Sequence, residues 1–297
     1  MKDGRRERIA RVAEALTAVD GWDVPHAGAV VVDGDGELAR RGTVDRILPI
    51  ASVTKPLTAA AVLVEVAEGR LDLDEPVGPT AAQGATLRHL LAHAAGLDFD
   101  PGGRTMAPGV RRVYSNWGYE VAAEHAAARA GTPFATLLRD RVLGPLGMHD
   151  TRLDGSPAWA ATSTVTDLAR FVRELVAPTL LPPATHELLT TPSFPGLDGV
   201  LPGFGRQRPN GWTLALEVRG TKEPHWGGTR MSERAVGHFG RSGSLVWADP
   251  DAGVGLASLS GRDFDDWARA AWPALADAVV RAVSPGGAPT RGAGTAP

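Results

Sequence analysis

The spacing of hydrophobic positions changes along this chain, and the changes mark out its elements. Near the start, Ile9, Val12, Leu16 and Val19 recur at three- and four-residue intervals, which predicts an amphipathic helix over residues 1–20. Residues 27–33 and 37–44 are short strand-like runs flanking Gly34-Asp35-Gly36, the pattern of a β-hairpin. An apolar run from Leu57 to Leu63 then predicts a helix that begins near Ser52 and stops at Gly69. Pro56 fits that start, because amides of the first turn lack intrahelical partners. From residue 71 to about 195 the period is helical and broken by Gly and Pro, with segments at 87–93, 117–130, 133–143 and 166–176. Strand patterns return at 212–218, and 242–248 with 253–260 read as a second hairpin around Asp249-Pro250-Asp251. A last helix is expected over 263–283. Residues 284–297 hold little besides Gly, Pro, Ala and Thr and read as a disordered tail.

Strands at both ends with helices between them predict an α/β (α+β) fold. One antiparallel sheet is built from both termini, flanked by helices, and carries a helical insertion. The expected division is a sheet region of residues 1–70 and 200–283 and a helical region of 71–199, with a site at their interface. Apolar content of 43% and charged content of 22% suit a globular protein of 297 residues. A net charge of −3 gives no pull towards nucleic acid or an anionic membrane. Arg5, Arg6, Arg8 and Arg11 lie among acidic neighbours and read as a solvated helix face. The absence of cysteine excludes disulfides and thiolate chemistry. No apolar stretch approaches the ~20 residues needed to span a bilayer. Residues 1–20 lack the apolar centre of a signal peptide, so the expectation is a cytoplasmic protein. Oligomeric state is left open.

Candidate chemistry comes from what is rare. Lysine occurs only as Lys2, Lys55 and Lys222, and arginine carries nearly all other positive charge. Lys55 interrupts an apolar run where arginine would serve if charge alone were needed. A desolvated amine can lose its proton, whereas guanidinium cannot. Ser52 precedes it by three residues, on the same helix face. A hydroxyl beside such an amine is a nucleophile with its base. Taken alone, the pair equally fits a capping serine and a lysine snorkelling off the first turn.

Tyrosine occurs only as Tyr114 and Tyr119. Tyr114 falls in Val113-Tyr114-Ser115-Asn116-Trp117-Gly118, between a glycine-rich loop and a helix. A phenol with its pKa lowered by an ammonium can exchange protons with a serine or a leaving group, and Asn116 offers an amide for orientation. A plain helix cap at Ser115 or Asn116 is the simpler account of that segment. Gly237-His238-Phe239-Gly240-Arg241-Ser242-Gly243 precedes a strand and reads as a tight turn. It is also a place where a substrate could approach the backbone closely and an amide could face an oxyanion.

The three motifs, in the order S-x-x-K, Y-x-N, H-x-G, resemble the penicillin-recognising serine hydrolases, in the branch of class C β-lactamase-like proteins and family VIII esterases. The segment from Leu87 to Leu97, residues 114–151 and residues 164–171 are similar to that family as well. The resemblance implies that Ser52 forms an acyl-enzyme, with Lys55 as its base. Tyr114 would shuttle the proton to the leaving group and later activate water. Asn116 would orient Lys55 and the substrate, the amides of Ser52 and Arg241 would form the oxyanion hole beside Gly240, and His238 would add electrostatics near Tyr114. It implies no cofactor and a small ester, amide or lactam as substrate. His238 replaces the lysine usual in the lactamases, and Phe239 replaces a threonine whose hydroxyl helps bind the lactam carboxylate. Ala94-Ala95 replaces the common Thr-Ser. The first two departures favour neutral esters or amides, although Arg241 could restore a carboxylate partner.

Other classes are weaker. His89 and His93 have zinc-ligand spacing but lack the intervening glutamate of H-E-x-x-H. No G-x-S-x-G stretch is present, which argues against an α/β-hydrolase. An acyltransferase using the same acyl-enzyme, a β-lactamase or DD-peptidase, and an inactive ligand-sensing protein that keeps the fold remain as alternatives.

Overall fold

Val30, Val31 and Val32 are all buried although they point alternately to opposite faces of a strand. Such a run requires a sheet covered on both sides. The computed structural model describes residues 2–77 and 83–284, and it supplies those two covers. In chain order, α1 (Lys2–Ala15) runs into a 3-10 turn (Leu16–Gly21), followed by β1 (Ala27–Asp33), β2 (Gly36–Gly42) and β3 (Leu48–Pro49). A 3-10 turn (Ala51–Val53) leads into α2 (Thr54–Ala67), then come α3 (Leu87–Leu91), α4 (Asn116–Ala130) and α5 (Phe134–Leu138), which continues as a π-helical turn (Arg139–Leu143). Next are β4 (Arg152–Leu153), β5 (Ala161–Ser163), α6 (Val165–Val176), α7 (Pro183–Thr190), β6 (Gly199–Leu201), β7 (Gly205–Gln207) and β8 (Glu217–Val218). β9 (Val236–Gly240), β10 (Ser244–Asp249), β11 (Val254–Ser260) and α8 (Asp266–Val283) complete the described chain.

The main sheet has the order β2-β1-β11-β10-β9-β8, antiparallel throughout. β1 pairs with β11, Ala27 opposite Ser260, so the two ends of the chain meet in the middle of the sheet as expected. One face packs Val31, Trp247 and Leu256 against Val12 and Leu16 of the N-terminal helix and Trp272 and Leu275 of α8. The other packs Val30, Val246 and Ala257 against Leu57 of α2 and Phe171 and Val172 of α6. α2 is buried at every position from Thr54 to Glu65 and is mostly apolar, as a helix enclosed on all sides tends to be.

Several boundaries differ from expectation for local reasons. The 212–218 strand shrinks to β8, because the Thr213 hydroxyl accepts from the amides of Ala215 and Leu216 and folds the segment into a turn. The 237–243 segment is not a turn before a strand. Val236–Gly240 is itself β9, and only Gly240–Gly243 turns. Helix α7 follows Pro182 in a proline-rich stretch whose pattern gave no helical period. The basic N-terminal face is also less solvated than expected, since Arg5 and Arg8 both reach Asp33, at 2.8 and 3.3 Å. The tail expected over 284–297 lies outside the described residues beyond Ser284.

Helix α6 reaches the sheet because β11 presents a glycine to it. A Cβ at Gly255 would lie 2.3 Å from Cγ1 of Val172. Gly255→Ala is therefore expected to lower the unfolding free energy by about 1–3 kcal/mol, the usual cost of overpacking, read from the denaturant midpoint. An unchanged midpoint would mean that α6 is not held at that distance.

Candidate active site

Ser52 is reached through a backbone that leaves little freedom. Ala51, just before it, has φ +43°, a left-handed conformation rare outside glycine and costing of order 1–3 kcal/mol. The strained turn is clamped from the sheet: the Ser244 hydroxyl on β10 donates to the Ile50 carbonyl at 2.6 Å, and Gly240 at the end of β9 packs so closely that a Cβ there would lie 2.4 Å from the same oxygen. Ser52 lies in the first turn of the 3-10 segment, where amide N–H groups have no intrahelical partner.

Lys55 is fully enclosed. Its Nζ donates to Asn116 Oδ1 at 2.7 Å and to the Ala158 carbonyl at 2.9 Å, and lies 3.4 Å from Ser52 Oγ. A neutral amine has two N–H bonds and one lone pair, so two acceptors on one side leave the lone pair for Ser52. Burial pushes the Lys55 pKa down to about 7, against a smaller upward pull from the carboxylates of Glu120 and Asp100. Asn116 is fixed in turn, with its Nδ2 3.4 Å from Asp100 Oδ1. Pro56 and the apolar run dictate this outcome: the amine is carried into the core by a helix with no polar face.

Ser115 is the cap of α4, accepting from Gly118 N–H at 2.9 Å while its hydroxyl donates to the Asp98 carbonyl at 2.6 Å. The simple capping account therefore holds for Ser115, and it leaves Tyr114 and Asn116 on either side free to face Lys55. The Lys55 Nζ lies 4.7 Å from the centre of the Tyr114 ring. The expected lowering of the Tyr114 pKa is not found. Burial raises it, with Ser52 opposing, so the phenol keeps its proton.

His238 is a neutral neighbour of Tyr114. Its Nδ1 donates to the Phe239 carbonyl at 2.8 Å, and burial pushes its pKa down to about 3, so it adds no positive charge beside Tyr114. Its buried Nε2 has no protein partner, and 5.9 Å separates the His238 and Tyr114 ring centres. Gly240 serves the close approach already described. The Arg241 side chain is 88% exposed, with Asp263 3.6 Å away. His89 and His93 diverge. His89 caps α3 through Thr86, and His93 Nδ1 accepts from the Ser115 amide at 3.1 Å while its ring stacks near Tyr114. Among the described residues no cluster of His, Cys, Asp or Glu is arranged to hold a metal.

A cavity of about 390 Å³ opens at Ser52, bounded by Tyr114, Trp212, His238, Phe239 and Phe264. Phe239 packs on Phe264, ring centres 4.8 Å apart, so it makes this wall apolar. Three contributors went unnoticed in the sequence. The Ala158 carbonyl comes from a loop 103 residues from Lys55, and a backbone group leaves no sequence signal. Glu120 holds that loop through the Ser156 hydroxyl at 2.7 Å. Glu217 reaches the cavity as a buried carboxylate paired with Lys222 at 2.7 Å and His225 at 3.1 Å. The rarity of lysine could have found that pair.

A serine and a neutral buried lysine at the head of a core helix, beside the inner end of an antiparallel sheet strand, form the site of a β-lactamase-like fold. Residues 17–280 match the Beta-lactamase family, and the chain belongs to it. The crystal structure of a beta-lactamase from Mycobacterium bovis is 48% identical, with a TM-score of 0.88 over 91% of this chain and 99% of that one. Over 173 residues the chain is 27% identical to the D-alanyl-D-alanine-carboxypeptidase/endopeptidase AmpH of Escherichia coli (strain K12), covering 43% of this chain and 45% of AmpH. Over 164 residues it is 32% identical to the esterase EstB of Burkholderia gladioli, covering 39% of this chain and 41% of EstB. The chain thus spans less than half the length of these two curated relatives. Among the described residues no helix is long and apolar enough to cross a membrane.

The pKa of Lys55 has a consequence for stability. Its folded value, about 7, lies below its ordinary value of 10.5. The folded state is therefore penalised in full below pH 7, less between 7 and 10.5, and not at all above. From pH 7 to pH 10 the unfolding free energy should rise by about 3 kcal/mol on account of this group. Lys55→Met should flatten that rise by the same amount, because the acceptors it leaves unpaired cost the same at both pH values. An undiminished rise would show that Lys55 carries an ordinary ammonium.

Proposed function

We propose that this protein is a serine hydrolase that acts on small esters or amides, esters preferred, through an acyl-enzyme at Ser52. The observation that carries this reading is the Lys55 amine, with two of its positions tied to Asn116 and Ala158 and the third directed at the Ser52 hydroxyl. Neutral Lys55 takes the Ser52 proton as Oγ attacks the acyl carbon. The oxyanion forms between the amides of Ser52 and Arg241. Tyr114, protonated, gives its proton to the leaving group and regains one from the Lys55 ammonium. Water then attacks the acyl-enzyme by the same relay in reverse. Asn116 orients Lys55, and neutral His238 lines the cavity near Tyr114. An alcohol or amine in place of water would make the protein an acyltransferase.

The likeness to a beta-lactamase, a DD-peptidase and an esterase supports acyl transfer to a serine without choosing the substrate. Phe239 supports the ester. Its ring packs on Phe264 and Trp272 and offers no hydroxyl to a lactam carboxylate.

Ser52→Ala should abolish both labelling by a fluorophosphonate, read by intact mass, and turnover of 4-nitrophenyl acetate. Lys55→Arg should lose at least about 100-fold in kcat/KM, since guanidinium cannot act as base. An adduct on the Ser52→Ala protein would sink the assignment, and near-normal activity of Lys55→Arg would return Lys55 to the role of a snorkelling cation.

Activity should depend on pH through Lys55, whose neutral form is the base. With a pKa of about 7, kcat/KM should rise tenfold per pH unit below that value and level off above it. A limb placed near pH 10 would mean that the amine is charged in the resting enzyme.

A further inference from the structure

Beyond Tyr114 lies a second cavity, of about 540 Å³, larger than the one at Ser52. Phe99, Tyr114 and Pro202 line both, so the two adjoin at the candidate acid. Its volume is that of a ligand pocket, commonly about 300–1,000 Å³. Nothing in the chemistry at Ser52 requires it.

Two features of its walls are unusual. Phe99, Met106 and Val200 line it and are 46%, 40% and 48% exposed, half of the six large apolar side chains that stand exposed among the described residues. Scattered single exposures need no account, but a concentration in one concavity beside an active site does. The second feature is charge. Arg104, Arg111 and Arg112 all line the cavity. Arg112 is buried and donates only to the carbonyls of Ala92, Ser193, Phe194 and Asn210, so its charge meets no carboxylate there. One carboxylate, Asp98, also lines the cavity and accepts from the amides of Phe99 and Arg104, so three arginines face a single acid, while Asp198 faces Arg206 and Arg208. The cavity is apolar with an excess of positive charge.

We infer that this second cavity is a substrate subsite for an apolar arm ending in an anionic group, so that the preferred substrate is an amphiphilic ester with a carboxylate or similar anion distal to the scissile bond. The inference rests on the serine-hydrolase reading of Ser52 and deepens it. The apolar walls hold the arm, and the arginines hold its end. Arg104 and Arg111 are the specificity-determining residues.

The test compares matched esters by kcat/KM. For an arm on the acyl side, the pair is the mono-4-nitrophenyl ester of suberic acid and 4-nitrophenyl octanoate. For an arm on the leaving side, it is 8-acetoxyoctanoate and octyl acetate. The wild-type protein should favour the anionic member of at least one pair by about fivefold or more, as two rim charges allow, and the double variant Arg104→Ala, Arg111→Ala should erase that preference. The pair that responds identifies which arm enters the cavity. If neither pair shows a preference, or if the preference survives the double variant, the inference is wrong. 4-Nitrophenyl acetate separates this from failure of the underlying reading: a protein that turns over acetate without anionic preference keeps the reading and loses the subsite. A protein that neither turns over acetate nor forms an adduct at Ser52 loses both.

Discussion

Everything in the site depends on burying one amine. The Lys55 Nζ is withdrawn from water on a helix buried at every position from Thr54 to Glu65 and lies near the rings of Tyr114 and Tyr119, and desolvation outweighs the pull of Glu120 and Asp100. Two acceptors, an amide oxygen and a main-chain carbonyl, then fix the direction of the remaining position. Without burial the amine would be a cation and no base. Without the acceptors it would be a neutral group free to rotate away from Ser52.

Burial also sets the state of its neighbours. It raises the Tyr114 phenol against the opposing hydrogen bond with Ser52 and so keeps it a proton donor. His238 is driven neutral first by burial and then by the proximity of Lys55. Of these three titratable side chains only Lys55 can carry charge near neutral pH, inside walls built by Trp212, Phe239 and Phe264. In the proposed mechanism such a site would bind a neutral carbonyl and leave the amides at Ser52 and Arg241 to act on charge as it develops. The strained backbone at Ala51 and the glycine at 240 hold the serine turn to the end of β9, which is where those two amides belong.

Much of this was legible in the sequence, for identifiable reasons. Lys55 was visible because lysine is scarce and because a charge in an apolar run demands an explanation. The meeting of β1 with β11 followed from strand patterns at both ends of the chain. The order of the three motifs pointed to the family. Other features were hidden by the physics involved. The protonation of Tyr114 is the outcome of burial competing with the hydrogen bond with Ser52, and neither can be read locally. The Ala158 carbonyl has no side-chain signature. β9 was hidden because two of its five residues, Gly237 and Gly240, look like turn formers, yet its neighbours β8 and β10 supply the ladder that makes it a strand. Lys222 was overlooked because it sits in a polar stretch, although it too is buried, against Glu217.

The scarcity of lysine that first marked the site also makes the decisive measurement simple. With only Lys2, Lys55 and Lys222 in the chain, selective 15N labelling of the lysine side chains gives three Nζ signals, and loss of one in Lys55→Met assigns it. Titrated by NMR, the Lys55 signal should show a midpoint near pH 7. A midpoint at the ordinary lysine value, near 10.5, would contradict the account at its root, because the amine would then be charged when it is required to accept the proton of Ser52.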